Sequence, residues 1–197
     1  MFTGIIKSLG EVKAITQEGS NFHFTISTKI ESELYIDQSI AHNGVCLTIV
    51  SIDEGSYVVT AIKETMDLTN LGLLAVGDHV NVERAVDGHT RMDGHMVQGH
   101  VDGTTKCINI EDVDGSWYFT FELDKNNAPL VVNKGSITVN GVSLTVVNPT
   151  KSSFQVAIIP YTYEHTNFKN LNPGSIVNLE YDIIGKYVQR YLEVTRK

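Results

Sequence analysis

Cysteine, proline and tryptophan are scarce in this chain of 197 residues, which has two, four and one of them respectively. The two cysteines, Cys46 and Cys107, cannot build the disulfide framework of a small secreted scaffold, and no CxxC spacing points to zinc or redox chemistry. Clusters of lysine and arginine are also missing. With a formal net charge of -8, the chain lacks the electrostatic footprint that nucleic acid or an anionic membrane surface requires. No apolar run is long enough for a membrane span. The short apolar stretch after Met1 has no basic residue ahead of it, which speaks against a signal peptide and for a mature protein starting at Met1. The expectations are a reducing cytoplasm, no nucleic acid, no membrane, and a small-molecule or protein partner.

What is present is a repeat. "NGVCLTIV" (Asn43 to Val50) returns as "NGVSLTVV" (Asn140 to Val147), a shift of 97. The same shift carries "TMDLTN" onto "TYEHTN", "GDHVNVE" onto "GSIVNLE" and "FHFTI" onto "FTFEL". A shift of 95 carries "MFTGII" onto "MVQGHV". Within each copy Phe22, Phe24 and Ile26, and likewise Trp117, Phe119, Phe121 and Leu123, alternate with polar neighbours at strand period. Several further β-rich runs, punctuated by Gly, Asn, Asp and Pro, predict two small antiparallel sandwiches or barrels. "DGHTRMDG" (Asp87 to Gly94) reads as the linker. "GKYVQRYLEV" places Tyr187, Val188, Tyr191 and Leu192 on one helical stripe, too short to stand alone and suited to packing on a partner subunit.

A cluster of Asp87, His89, Asp93, His95, His100 and Asp102 invites a metal reading. On a strand, however, His95 and His100 would point to opposite faces, so no metal is expected.

The motifs "MFTGII", "AHNGVCLTIV", "KETMDLTNLG", "VGDHVNVERA", "GHMVQGHVDG", "KGSITVNGVSLTVV" and "IGKY", in this order along the whole chain, closely resemble the riboflavin synthase family. The resemblance implies an all-β fold of two tandem homologous six-stranded antiparallel Greek-key barrels plus a C-terminal α-helix. On that basis residues 1–88 form an N-terminal lumazine-binding barrel, 95–184 a C-terminal one, and 185–197 a trimerisation helix. It implies dismutation of two molecules of 6,7-dimethyl-8-ribityllumazine to riboflavin and a ribitylamino-pyrimidinedione, with no external cofactor. It further implies a homotrimer with sites between subunits, and it allows association with lumazine synthase. One departure is Asp93 before Gly94, where the family usually has two glycines ahead of its first histidine.

A dismutation asks identical substrates to play different parts, so departures from repeat symmetry mark the candidate catalytic residues. Cys46 faces Ser143, Asp37 faces Lys134, Ala85 faces Asp182, and at the shift of 95 Ile5 faces His100. Most polar replacements fall in the C-terminal copy, which locates the proton-transfer chemistry there, with Cys46 contributed by the N-terminal barrel. Removing a proton from the C7 methyl of lumazine needs a base and donors to the resulting anion. His100 suits the base or relay. Lys134 suits a positive charge opposite the ring carbonyls, and Ser143 and Thr145, two apart, place hydroxyls on one strand face. Cys46 and Thr48 repeat that spacing, and Cys46 either adds to C7 of the second lumazine or orients it. Asp182 either binds a ribityl hydroxyl or orients His100. The resemblance assigns pteridine binding to Gly4, Ile5 and Ile6; to Cys46, Leu47 and Thr48; and to Thr60, Ala61, Ile62, Lys63, Glu64 and Thr65. In the second copy the same role falls to Gly99, His100 and Val101; to Lys134, Ser143, Leu144 and Thr145; and to Ala157, Ile158, Ile159, Pro160, Tyr161 and Thr162.

Without the resemblance these residues have plainer readings: Cys46 and Cys107 as small core residues, Lys134 and Asp182 as solvated charges, Ser143 and Thr145 as ordinary strand formers. The alternative function is that of the lumazine proteins of luminous bacteria, which resemble the same two-barrel family and act as monomeric light-emitting antennae without catalysis. They lack much of the polar set present here.

Overall fold

The computed structural model describes residues 1–30 and 34–195. The N-terminal half comprises β1 (Ser8–Glu18), β2 (Asn21–Thr28), β3 (Ser39–His42), β4 (Val45–Asp53), β5 (Ser56–Ala61), a short helix α1 (Lys63–Leu68) and β6 (His79–Arg84). The C-terminal half repeats the series with β7 (Gly103–Asp112), β8 (Trp117–Glu122), β9 (Ser136–Val139), β10 (Val142–Val147), β11 (Ser153–Ile158), α2 (Pro160–His165) and β12 (Ile176–Tyr181). Each half closes into an antiparallel barrel, in the order β1-β2-β5-β4-β3-β6 and its equivalent β7-β8-β11-β10-β9-β12. This is the Greek-key pair of six-stranded barrels expected from the sequence. Closure through the β1–β6 and β7–β12 ladders pairs the first strand of each barrel with the last and leaves only short unpaired stretches where β5 parts from β4 and β11 from β10.

Alternation decides which side chains go inside. In β2 Phe24 and Ile26 are buried, and in β8 Phe119 and Phe121 are, as the strand period requires. Phe119, Phe121, Phe154 and Phe168 are fully buried in the C-terminal core, each contributing about 1.5–3 kcal/mol of hydrophobic stabilisation. The N-terminal core substitutes a polar pair for part of this. His42 and Tyr57 stand where the second copy has Val139 and Phe154, with His42 Nε2 2.8 Å from the Tyr57 hydroxyl. The space among Phe24, His42, Leu47 and Leu71 inside this barrel does not admit even a water molecule, so the barrel is a packed core and not a ligand cavity.

The barrels are joined about a pseudo-twofold axis by six asparagines that are three repeat-related pairs: Asn43/Asn140, Asn70/Asn167 and Asn81/Asn178. The Asn70 N–H donates to Asn178 Oδ1 (2.6 Å), and its counterpart, the Asn167 N–H, donates to Asn81 Oδ1 (2.8 Å). Asn81 Nδ2 donates to the Asn140 carbonyl and Asn178 Nδ2 to the Asn43 carbonyl, both at 2.9 Å. Asn43 and Asn140 also lead the Asn-Gly turns of the β3–β4 and β9–β10 hairpins with left-handed φ values of 48° and 47°, which suits the tight turn a two-residue hairpin needs. Phe2 and Val97 form a two-stranded bridge elsewhere on this interface, with N–H to carbonyl distances of 2.7 and 3.1 Å.

After β12 the chain enters α3 (Ile183–Thr195), which contains the amphipathic stripe expected over 185–197; residues 196 and 197 lie outside the described residues. Ile184, Tyr187, Val188, Tyr191 and Leu192 on this helix are all exposed. The Lys186–Asp102 ion pair (2.6 Å) ties the first turn to the C-terminal barrel.

Candidate active site

Two equivalent openings lie on the outer faces of the barrels. In β4, Leu47 points into the core while Cys46 and Thr48 point out; in β10, Leu144 points in while Ser143 and Thr145 point out. The β4–β5 ladder stops at Ile49 and Val59, because β4 then turns to pair with β3. The edge of β5 from Thr60 to Ala61, continuing to Ile62, therefore has no strand partner on the β4 side among the described residues. The β10–β11 ladder ends likewise at Val146 and Val156, leaving the edge from Ala157 through Ile158 to Ile159 open toward β10. Open main-chain donors and acceptors in a row suit a flat heterocycle with polar groups along its rim. Ile62 and Ile159 sit at these edges 54% and 59% exposed, offering apolar surface to a ring face. Lys63, Glu64 and Thr65 open α1 after Ile62; Pro160, Tyr161 and Thr162 open α2 after Ile159.

Each opening is completed by a segment from the far side of the repeat boundary. The Cys46 N–H donates to the Gly99 carbonyl (2.9 Å) and the Ser143 N–H to the Gly4 carbonyl (2.8 Å). Val101 packs against the N-terminal core and Ile6 against the C-terminal one, so the two segments are exchanged between barrels. At both crossings glycine is required. A Cβ on Gly99 would lie 2.7 Å from Cys46 Cβ, and one on Gly4 would lie 2.5 Å from Ser143 Cβ, with left-handed φ of 77° at each.

Two buried glutamates hold the exchanged segments. Glu83 accepts from the Thr3 and Gly4 N–H groups at 2.8 and 2.9 Å and from the Thr3 hydroxyl at 2.7 Å. Glu180 accepts from the N–H groups of Gln98, Gly99 and His100 at 2.7, 3.0 and 3.1 Å. Burial pushes both carboxyls above the ordinary carboxylate value, against the pull of these donors. Neither glutamate was among the sequence candidates. Their signal was a charged residue kept at the same place in two apolar strands, "VNVE" and "VNLE".

The sequence candidates divide between the openings. Cys46, Thr48, Thr60 to Thr65 and Gly99 to Val101 gather at the N-terminal barrel; Gly4, Ile5, Ile6, Ser143, Thr145 and Ala157 to Thr162 gather at the C-terminal barrel. The His100 backbone thus runs beside Cys46, not beside Ser143, which departs from the expectation that grouped it with the C-terminal polar set. Lys134 is exposed in the turn before β9, in a left-handed conformation (φ 65°), with its N–H on the Val146 carbonyl (2.9 Å). Asp182 follows β12 directly and accepts from the Ile184 N–H (3.0 Å) at the start of α3. Its charge acts on His95, a neighbour that neither of the two roles expected for it, binding a ribityl hydroxyl or orienting His100, included.

His95 was weighed from sequence only as a metal ligand and was not among the candidate site residues. Its Nδ1 lies 2.6 Å from Ser143 Oγ and its Nε2 lies 3.1 Å from Thr138 Oγ1. Burial lowers its pKa below the ordinary imidazole value, opposed by Asp182, which favours the neutral ring. The segment around it is irregular instead of a strand, so the strand-face reasoning about metal ligands does not apply there. Among the described residues no three His, Cys, Asp or Glu side chains are placed to hold a metal ion. An aromatic stack of Trp117 on Tyr163 (centroids 3.9 Å, 11° between planes) flanks the second opening, where the first copy has Ser20 and Met66.

The model of the lumazine binding domain matches this chain twice, over residues 3–85 and 98–182. A riboflavin synthase from Actinobacillus pleuropneumoniae is 40% identical over 98% of this chain and 90% of its own length. Those from Bacillus subtilis and Schizosaccharomyces pombe are 39% and 38% identical, over 98% of this chain and 90% and 94% of their own lengths. Among solved structures, LumP complexed with riboflavin superposes with a TM-score of 0.85 at 22% identity, covering 92% of this chain and 100% of its own. LumP complexed with 6,7-dimethyl-8-(1'-D-ribityl) lumazine gives 0.83 at 23% identity, which supports the shared fold. Both barrels match, and the likeness to riboflavin synthases runs end to end: the chain belongs to the lumazine binding domain family.

Proposed function

We propose that this protein is a riboflavin synthase, converting two molecules of 6,7-dimethyl-8-ribityllumazine into riboflavin and 5-amino-6-(ribitylamino)uracil by moving a four-carbon unit from one to the other. Atoms balance between the two sides with no oxidant, reductant or further group. The observation that carries this reading is a pair of repeat-related openings with the same main-chain edge and different side chains. Like edges suit two copies of one heterocycle; unlike side chains separate donor from acceptor.

At the N-terminal opening Cys46 and His100 supply a thiol and an imidazole. At the C-terminal opening Ser143 and Thr145 supply hydroxyls, with Lys134 at the rim and Asp182 behind His95. His100 takes the C7 methyl proton, a role that a histidine can fill near neutrality. Hydroxyl donors and Lys134 stabilise the resulting anion. Cys46 adds to or orients the second lumazine. Bringing the two ligands together calls for an N-terminal opening of one subunit to face a C-terminal opening of another. The exposed stripe of α3 and the apolar groove of about 890 Å3 between it and Pro129–Val132 support self-association, proposed as a homotrimer. A cytoplasmic location is supported by the free thiols Cys46 and Cys107. Among the described residues no helix is long and apolar enough to cross a membrane.

Incubation with the lumazine alone tests the reading. Riboflavin and the uracil should appear in equal amounts. Bound, fluorescent lumazine that is never converted would overturn it in favour of an antenna.

A further inference from the structure

The histidine that the reaction scheme leaves unused sits against one of its candidate residues. Ser143 and Thr138 are directly paired across the β10–β9 ladder and face the same side, and the His95 ring bridges their hydroxyls. In the first copy the equivalent residues are Cys46 and Ala41, which offer no hydroxyl pair. Gly94, preceding His95, is forced by crowding, since a Cβ there would meet the Thr3 carbonyl and Ser143. The His95 N–H donates to that same carbonyl (3.1 Å). The ring is therefore fixed at both its backbone and its two nitrogens.

Hydrogen-bond accounting selects its tautomer. The Thr138 residue is 2% exposed, and His95 Nε2 is its hydroxyl's hydrogen-bond partner among the described residues. If Nε2 carried the proton, the Thr138 hydroxyl hydrogen would be buried with no acceptor. If Nε2 accepts from Thr138, the proton sits on Nδ1, which donates to Ser143 Oγ. The serine oxygen is then occupied as an acceptor, and its own hydrogen is directed to whatever occupies the opening. The neutral ring that burial favours is consistent with this chain of donors.

We infer that His95 is a positioning residue which, held by Thr138, fixes Ser143 as a hydrogen-bond donor to an acceptor atom of the ligand at the C-terminal opening, and not as a base or nucleophile. This rests on the lumazine reading above. It assigns Ser143 to the negative charge that develops when the ligand loses its methyl proton, so its effect falls on turnover more than on ground-state binding. It also adds a difference between the two openings that no comparison of Cys46 with Ser143 alone reveals.

Nitrogen-15 NMR of the histidine rings in the intact protein reads the tautomer without any turnover. His95 should show a protonated Nδ1 and an accepting Nε2, and Thr138→Val should abolish that preference. His95→Phe should lower kcat about tenfold with KM within about twofold, and His95→Asn, whose amide can donate from near the Nδ1 position, should restore kcat to within about threefold. A wild-type ring protonated on Nε2, or His95→Phe turnover within twofold of wild type, would overturn the inference. Failure of the wild-type protein to convert lumazine would count against the proposed function instead, and would leave the tautomer result to stand on its own.

Discussion

The exchange of segments between barrels is tested most sharply by replacing Gly99 with alanine. Gly99 and Gly19 both have left-handed φ, 77° and 60°, but among the described residues nothing lies within 4 Å of a Cβ built on Gly19, whereas one on Gly99 meets Cys46 Cβ at 2.7 Å and Phe2 Cε2 at 2.8 Å. Gly19→Ala therefore carries only the conformational cost, about 1 kcal/mol. Gly99→Ala carries that cost and must also push backbone-anchored atoms apart by about 0.7 Å to reach the 3.4 Å of ordinary contact. Overpacking of this kind adds about 1–3 kcal/mol, for a total of about 2–4. In thermal unfolding at fixed protein concentration, with about 3 °C per kcal/mol for a chain of this size, Gly19→Ala should lose about 3 °C and Gly99→Ala about 6–12 °C. The displaced segment carries His100, so turnover should fall about 30- to 100-fold, as sub-ångström to ångström misplacement of catalytic groups does. Gly19→Ala should turn over normally. Equal stability of the two variants, or turnover of Gly99→Ala within threefold of wild type, would refute the crossing of Gly99 beside Cys46.

Other expectations follow from the same geometry. Burial holds His42 down to about 3, from the ordinary 6.5, so its contribution to stability is complete above pH 6.5 and is lost as pH falls toward 3. Substituting both members of the pair by their repeat counterparts, His42→Val with Tyr57→Phe, should flatten urea-unfolding stability across that window by up to a few kcal/mol relative to wild type; Glu83 and Glu180 are common to both proteins and cancel in the comparison. Asn81→Ala should cost about 3–5 kcal/mol, since the Asn167 N–H and the Asn140 carbonyl lose their partners, and calorimetry should then resolve two transitions for barrels that no longer unfold together. Cys46→Ser makes the openings more alike, and should lower kcat at least tenfold while lumazine fluorescence titrations stay within threefold.

The two-barrel fold was legible because it is written in short-range pattern. Phe22–Phe24–Ile26 and Phe119–Phe121–Leu123 alternate with polar neighbours, Gly, Asn, Asp and Pro punctuate the β-rich runs, and a shift of 97 aligns one half on the other. The positions of Cys46, Ser143 and their hydroxyl neighbours on outward strand faces follow from the same period. What could not be read was which barrel the "GII" and "GHV" segments serve. That depends on contacts between residues about 80 apart, Thr3 with Glu83 and Gln98 with Glu180, which leave no local periodicity. His95 was missed for a related reason. It was weighed as a metal ligand on a presumed strand, while its actual partners, Ser143 and Thr138, lie 48 and 43 residues away. The six-asparagine link was visible only as three repeated letters until the pseudo-twofold axis brought them together.

A crystal structure of the protein soaked with a lumazine lacking the C7 methyl, and so unable to yield a carbon unit, tests the central claim directly. The account requires one heterocycle on the outer edge of each barrel, along Thr60–Ile62 beside Cys46 and along Ala157–Ile159 beside Ser143. A ligand inside either barrel, or density at one barrel alone under saturating ligand, would contradict it.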